Sequence, residues 1–174
     1  MNNYTIVPHD PIWICLASEE IASIASVLDI KPVQVAHVGS TAVPGLGGKP
    51  IIDLMVGITD FDSTKDNQKY LDPLKRIGYE FDGTETVAGT WYIRKALPRR
   101  FNLHITKYGG AFWIDHLLFR DYLRSNPDSV RQYEKLKRAL VSQLGPEPDK
   151  QAYNEGKSGF IENILDLARE ERPR

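Results

Sequence analysis

The sequence predicts an α+β fold, with a mixed β-sheet flanked by helices and a three-helix C-terminal segment packed on the same core. Three observations predict it. Residues 33–58 hold two β-rich runs, VQVAHV and IIDLMVGI, joined by a glycine-rich loop. Residues 79–107 hold three more short runs of strand character, YEFDG, TWYIRKA and FNLHITKY, with turns between them. From Ala111 onward the hydrophobic period becomes helical. A sheet with helices segregated after it is the α+β pattern, one layer packed on another.

The elements follow in order. YTIV, residues 4–7, reads as a short strand or extended arm, stopped by Pro8 and Pro11. SEEIASIASVLD, residues 18–29, places Ile21, Ile24, Ala25 and Leu28 on one helical face, with Ser18 as N-cap and glutamates in the first turn. VQVAHV, residues 33–38, is a strand ending at Gly39. IIDLMVGI, residues 51–58, is apolar but for one charge, which suits a central strand buried on both faces. STKDNQKYLDPLKRI, residues 63–77, reads as a polar helix running through Pro73 and ended by Gly78. Strands are expected at 79–82, 90–96 and 101–107. The helices AFWIDHLLFRDYLRS, PDSVRQYEKLKRALVSQL and DKQAYNEGKSGFIENILDLARE are separated by Asn126-Pro127 and by GPEP, 145–148.

Bulk properties narrow the function classes. A chain of 174 residues favours one domain spanning 1–174. A net charge of −1 gives no global field toward nucleic acid, which is disfavoured as a partner, and no apolar run reaches membrane-spanning length. The N-terminus lacks a basic start and an apolar core of signal type, so a cytoplasmic location is expected. The single cysteine, Cys15, excludes an internal disulfide framework and a multi-cysteine zinc site. It lies among apolar residues and is expected to be a buried thiol. Nothing in the sequence specifies an oligomeric state.

The loop HVGSTAVPGLGGKPIIDLMVGI, residues 37–58, is where chemistry is expected. It is not a Walker A loop. Val43 stands where the first glycine belongs, and Pro50 after Lys49 offers neither a hydroxyl nor a backbone donor. A second arrangement fits better. A strand ends in Gly39-Ser40, a short helical turn follows, and the next strand carries Asp53. Gly39 lets backbone approach a phosphate, and the amides after it, with the Ser40 hydroxyl, can point at phosphate oxygens. Asp53 can hold a divalent metal beside them.

Gly39-Ser40 followed by Asp53 resembles the nucleotidyltransferase superfamily of the DNA polymerase beta type. The longer string HVGSTAVPGLGGKPIIDLMV, with NLHI at 102–105, LLFRDYLR at 117–124, YEKLKRAL at 133–140 and YNEGKSGFI at 153–161, resembles the GrpB family over almost the whole chain. That family also occurs fused to dephospho-CoA kinase. The resemblance implies a nucleotidyltransferase-like fold and a ligand that is a nucleotide or a phosphorylated small molecule. It also implies a divalent metal, magnesium or manganese, or zinc if histidines are ligands.

The superfamily's catalytic form uses two carboxylates one residue apart on the second strand and a third on a later strand, holding two metals for phosphoryl transfer. Here Met55 stands at the second position, and a thioether is a poor magnesium ligand. The third position falls in NLHIT, where His104 is the metal-capable residue. Asp53 and His104 are therefore the candidate catalytic pair, and Asp53, His104 and His37 the candidate metal ligands. Phosphate contacts are expected from Gly39, Ser40, Thr41, Lys49, Arg120, Arg124 and Lys157. Asp121 is expected to pair with Arg124 and leave Arg120 free. Each residue also has a plainer reading: His37 and His104 as hydrogen-bonded core histidines, Asp53 as an anchor for the loop, Lys49 as a solvated lysine, and the arginines as a brace between helix and sheet. Three functions remain open on this evidence: nucleotidyl transfer to an unidentified acceptor, a non-catalytic ligand-binding module, and a metal-dependent enzyme of another class built on His37, Asp53 and His104.

Overall fold

The computed structural model describes residues 5–64, 68–81, 89–96, 100–145 and 148–171. Its elements run α1 (Ile12–Leu28), β1 (Val35–Val38), β2 (Ile52–Ile58), α2 (Gln68–Arg76), β3 (Trp91–Lys95), β4 (Phe101–Lys107), α3 (Ala111–Ser125), α4 (Pro127–Leu144) and α5 (Lys150–Glu170). The four strands form one sheet in the order β1-β2-β4-β3. The inner pair, β2 and β4, runs parallel, and each outer pair is antiparallel. The fold is thus α+β with a mixed sheet, as the sequence predicts.

Alternation along the inner strands assigns the two faces. Ile52, Leu54, Val56 and Ile58 of β2 join Leu103 and Ile105 of β4 in one core, closed by Trp13, Ala17 and Ile24 of α1 and Leu71 and Leu74 of α2. The opposite face carries Asp53, Met55 and Gly57. There Trp113 of α3 packs with Ala36, Val38 and Met55. Gly57 makes that approach possible, because a Cβ on it would lie 2.7 Å from the Tyr108 ring and 2.9 Å from Trp113. A third cluster, Val43, Leu46, Leu123, Val130 and Tyr133, joins α3 and α4 to the loop after β1. The C-terminal helices therefore contact the glycine-rich loop directly.

Several boundaries differ from the sequence reading. Helix α1 begins at Ile12, not at Ser18, with Pro11 at its N-cap and the Asp10 carboxylate accepting from the Ile12 amide at 3.0 Å. Proline's fixed φ suits a helix start as well as it stops a strand. The buried positions then run Trp13, Ala17, Glu20 and Ile24. Cys15 falls between them and is exposed, which corrects the expected core thiol. Buried Glu20 takes two hydrogen bonds from Lys95 Nζ, at 2.9 and 3.0 Å, tying α1 to edge strand β3. The expected arm at 4–7 is reduced to a bridge in which Val7 and Gly48 exchange backbone hydrogen bonds, both 2.9 Å, and Tyr4 lies outside the described residues. At 79–82, Glu80 forms a single bridge to Arg94, and Asp82 lies outside the described residues. Helix α2 ends as expected at Gly78, whose φ is +91°, and the Tyr79 amide donates back to the Leu74 carbonyl at 3.1 Å. Among the described residues no helix is long and apolar enough to cross a membrane.

Candidate functional site: a lysine-lined cavity

The site is built where β1 ends. Gly39 has φ +71° and ψ −170°, a backbone region essentially reserved for glycine. A Cβ there would lie 2.6 Å from Asp53 Oδ2. The missing side chain therefore seats the Asp53 carboxylate directly against the turn. Asn102, the register neighbour of Asp53 on β4, donates from Nδ2 to Asp53 Oδ1 at 2.7 Å. Burial pushes the Asp53 carboxyl above its usual range, while the Asn102 amide, Lys49 and Lys157 pull it back down.

The loop that follows is clasped by α4. Buried Lys137 donates from Nζ to Ser40 Oγ at 2.9 Å and also to the Gly47 carbonyl. The Gly47 amide donates to Glu134 Oε2 at 3.0 Å. Arg138 fastens Glu134 at 2.7 Å and reaches the Ile6 carbonyl at 3.2 Å. A Cβ on Gly48 would lie 2.9 Å from Ser40 Cβ, so this glycine lets the loop fold flat over the serine. Burial brings the Lys137 ammonium down to about 7. Glu134 opposes that shift, and Lys157 and Arg138 add to it.

Loop, sheet and helices enclose a cavity of about 210 Å³. Ser40 and Asp53 line it, together with Lys49, Lys137, Lys150 and Lys157 and the rings of Tyr133 and Tyr153. Four lysines and one carboxylate thus line the same space. Lys157 is lowered to about 8 by burial and then by Lys49, against the pull of Asp53. Lys49 is lowered chiefly by burial. A larger cleft of about 930 Å³ adjoins this cavity and shares Gly39, Asp53, Asn102, Lys150, Asn154 and Lys157 with it. Its far wall carries Tyr92, His104 and His116.

The structure gathers some of the expected residues and separates others. Gly39, Ser40, Thr41, Lys49, Asp53 and Lys157 line the inner cavity, and Asp53 and His104 share the outer cleft and one face of the sheet. The Thr41 hydroxyl is engaged behind the loop by His37 Nε2 at 2.9 Å. His37 is not at the cleft. Its register partner is Leu54, so its ring lies on the face opposite Asp53. Burial and then Arg124, Arg120 and His9 hold it near 4, so it is neutral at physiological pH. The metal set of His37, Asp53 and His104 is therefore not assembled, and among the described residues no three His, Cys, Asp or Glu side chains come together.

The two arginines also differ from expectation. Asp121 accepts two hydrogen bonds from Arg120, at 2.7 and 3.0 Å, and stands 3.7 Å from Arg124. Arg120 is thus the paired arginine, and its remaining contact is the His37 carbonyl at 3.0 Å. Arg124 donates to the Ala42 carbonyl at 2.9 Å. Neither lines the inner cavity or the outer cleft; both hold β1 and the turn after it through backbone carbonyls.

The donor set does not fit a two-metal centre. Met55 is fully buried beside Trp113 where a second carboxylate would be needed. Asp53 is held by an amide donor and flanked by lysines, and bringing a divalent cation among ammonium groups is electrostatically unfavourable. Glu80 is exposed, and Asp82 and Glu85 lie outside the described residues. Sequence reasoning missed Asn102, Lys137 and Lys150. One signal was available for Lys137: Val130, Tyr133 and Lys137 fall at helical spacing, which puts a lysine on the buried stripe of α4.

Comparison with known proteins adds the following. The family model for GrpB protein matches residues 3–167. The chain is 32% identical over 167 residues to the glutamate-rich protein GrpB of Alkalihalophilus pseudofirmus, covering 92% of each. It resembles the crystal structure of the conserved protein GrpB from Enterococcus faecalis with a TM-score of 0.79 and 31% identity, over 96% of this chain and 98% of that one. It also resembles terminal uridylyl transferase 4 from Trypanosoma brucei with bound CTP, at a TM-score of 0.54 and 13% identity, over 95% of this chain and 53% of that one. The last is a likeness of fold.

Proposed function

The chain belongs to the GrpB family and has a nucleotidyltransferase-like fold, and from that premise we propose that its inner cavity binds the phosphate groups of a nucleotide or another phosphorylated metabolite. One observation carries this reading: Lys49, Lys137, Lys150 and Lys157 converge on the Gly39-Ser40 turn around a single carboxylate. Burial disfavours the charged forms of Lys137 and Lys157, and a phosphate chain stabilises them through charge-assisted hydrogen bonds. The lowered lysines support the same reading, since each is held below its ordinary range by burial and, for Lys157, by a neighbouring lysine.

Calorimetric titration with ATP and with inorganic tripolyphosphate tests it. Wild-type protein binds both, and Lys157→Ala weakens both about tenfold or more, the size of a lost charge-assisted contact. Unchanged affinity in a folded Lys157→Ala variant removes that lysine from the phosphate site. Binding also takes up protons. At pH 8 the free protein holds Lys137, near 7, and Lys157, near 8, partly deprotonated, and an arriving polyanion raises both. The observed heat at pH 8 therefore varies with the ionisation enthalpy of the buffer. Heats that are the same in HEPES and Tris buffers contradict the assignment.

The pocket acts in this reading as a binding module, without two-metal nucleotidyl transfer, because Met55 replaces the carboxylate that such chemistry needs. A magnesium-dependent assay with the four nucleoside triphosphates is expected to release no pyrophosphate above background. Turnover of about 1 per second or more, lost in Asp53→Ala, overturns the non-catalytic reading.

A further inference from the structure

We infer that the outer cleft is a subsite for a flat heteroaromatic ring, so that the ligand is a nucleoside phosphate and not a sugar phosphate or free polyphosphate. The inference rests on the phosphate reading of the inner cavity and adds the identity of what is joined to the phosphate.

Continuity of the two spaces is the first argument. Asp53, Asn102, Lys150, Asn154 and Lys157 line both, so a ligand whose phosphates lie among the lysines directs its remaining part past these residues into the larger cleft. The second argument is what that part meets. Tyr92 on β3, His104 on β4 and His116 on α3 line the cleft, and Phe112 of α3 packs against both histidines. The Tyr92 and His104 centroids are 4.9 Å apart and those of His104 and His116 6.2 Å. Three elements thus contribute to one aromatic wall.

The chemistry of that wall selects the ligand. His116 Nδ1 lies 2.8 Å from the Phe112 carbonyl, which can only accept, so Nδ1 carries the proton and the ring is held in place. Burial lowers the pKa of His116, and its ring is neutral near pH 7. A neutral imidazole among phenyl and phenol rings offers π surface, which a nucleobase matches and a sugar does not. Gln151, Asn154 and Glu155 of α5 also line the cleft, Gln151 Nε2 donating to Glu155 Oε1 at 2.8 Å, and their remaining donors and acceptors suit the edge of such a ring.

The test compares ligands that share phosphates and differ in the base. ATP, ribose 5-triphosphate and inorganic tripolyphosphate are titrated into wild-type protein, His116→Ala and Tyr92→Leu, with each variant's thermal transition recorded as a check on folding. Wild-type protein is expected to bind ATP about tenfold or more tighter than either base-free ligand, the scale of one stacking contact. Both variants lose that preference; His116→Ala keeps wild-type affinity for tripolyphosphate, and Tyr92→Leu, whose ring lies 5.3 Å from Lys150 Nζ, is read by the ratio of its ATP and tripolyphosphate affinities. Adenosine alone shifts the imidazole proton resonances of His104 and His116, and ribose does not. Equal affinity of wild-type protein for ATP and tripolyphosphate overturns the base subsite and leaves the phosphate site standing. So does a preference for ATP that survives in both variants. Failure of wild-type protein to bind any of the three overturns the phosphate reading, and the base subsite falls with it.

Discussion

Gly39→Ala is expected to destabilise the protein by about 3 kcal/mol and to abolish tripolyphosphate binding. Two costs coincide at this residue. Its backbone lies in a region that a side chain makes strained, and the added Cβ would lie 2.6 Å from Asp53 Oδ2 and 3.1 Å from Asp53 Cβ. Asp53 sits on the central strand β2 and is bonded to Asn102, so neither partner can step aside cheaply. Gly45→Ala is the internal control. Gly45 also has a positive φ, +78°, but nothing lies within 4 Å of its Cβ position. It carries only the backbone cost, about 1 kcal/mol. Urea unfolding of both variants separates strain from collision. Equal losses mean that the contact with Asp53 is relaxed without cost and that the carboxylate is not seated by the turn.

Lys137→Met is expected to change both the size of the stability and its dependence on pH. The substitution keeps an unbranched stem one atom shorter and removes the donor, leaving Ser40 Oγ and the Gly47 carbonyl short of a hydrogen bond. The loss at pH 8 is about 1–3 kcal/mol. The sign of the pH effect follows from the proton count. Lys137 titrates near 7 in the folded protein, against an ordinary lysine value of 10.5. Between those values the unfolded chain holds a proton that the folded chain has released, so the contribution of this group to stability rises with pH. It is complete above about 10.5 and is lost as pH falls through about 7. Denaturation curves taken from pH 6 to pH 10 show this rising segment in the wild type and its loss in Lys137→Met. Parallel profiles for the two proteins would show that Lys137 keeps its proton throughout.

Much of the fold was legible because it depends on local patterns. The runs at 35–38, 52–58, 91–95 and 101–107 carry strand composition, and the three C-terminal helices carry clear period and clear breaks. The Gly39-Ser40 turn and Asp53 were legible because a glycine at a strand end and a lone carboxylate in an apolar strand are both conspicuous. His37 was misplaced by parity. One residue decides the face of a strand, and the pairing of Val38, not His37, with Asp53 is set by a register that the sequence does not display. For the arginines the contacts match the brace reading and not the phosphate one, because their acceptors, the carbonyls of His37 and Ala42, are backbone atoms more than eighty residues away. Lys137 was hidden for a related reason. Lysine on a helix is ordinarily a solvated residue, and only the loop folded against α4 supplies the two oxygens that let this one be buried.

The clasp between α4 and the glycine loop also orders events in time. Gly47 and Lys137 are 90 residues apart, and Arg138 follows Ile6 by 132. A ribosome adding about 5–20 residues per second needs roughly 5–20 s to supply Lys137 after Gly47. During that interval the strands and α1 can already associate, but the loop lacks the groups that fix its shape. A chain arrested before α4 emerges would expose Val43 and Leu46, which the finished protein covers with Leu123, Val130 and Tyr133. The nascent chain therefore keeps these two side chains uncovered until its later helices arrive, and the helices that close the pocket also end that exposure.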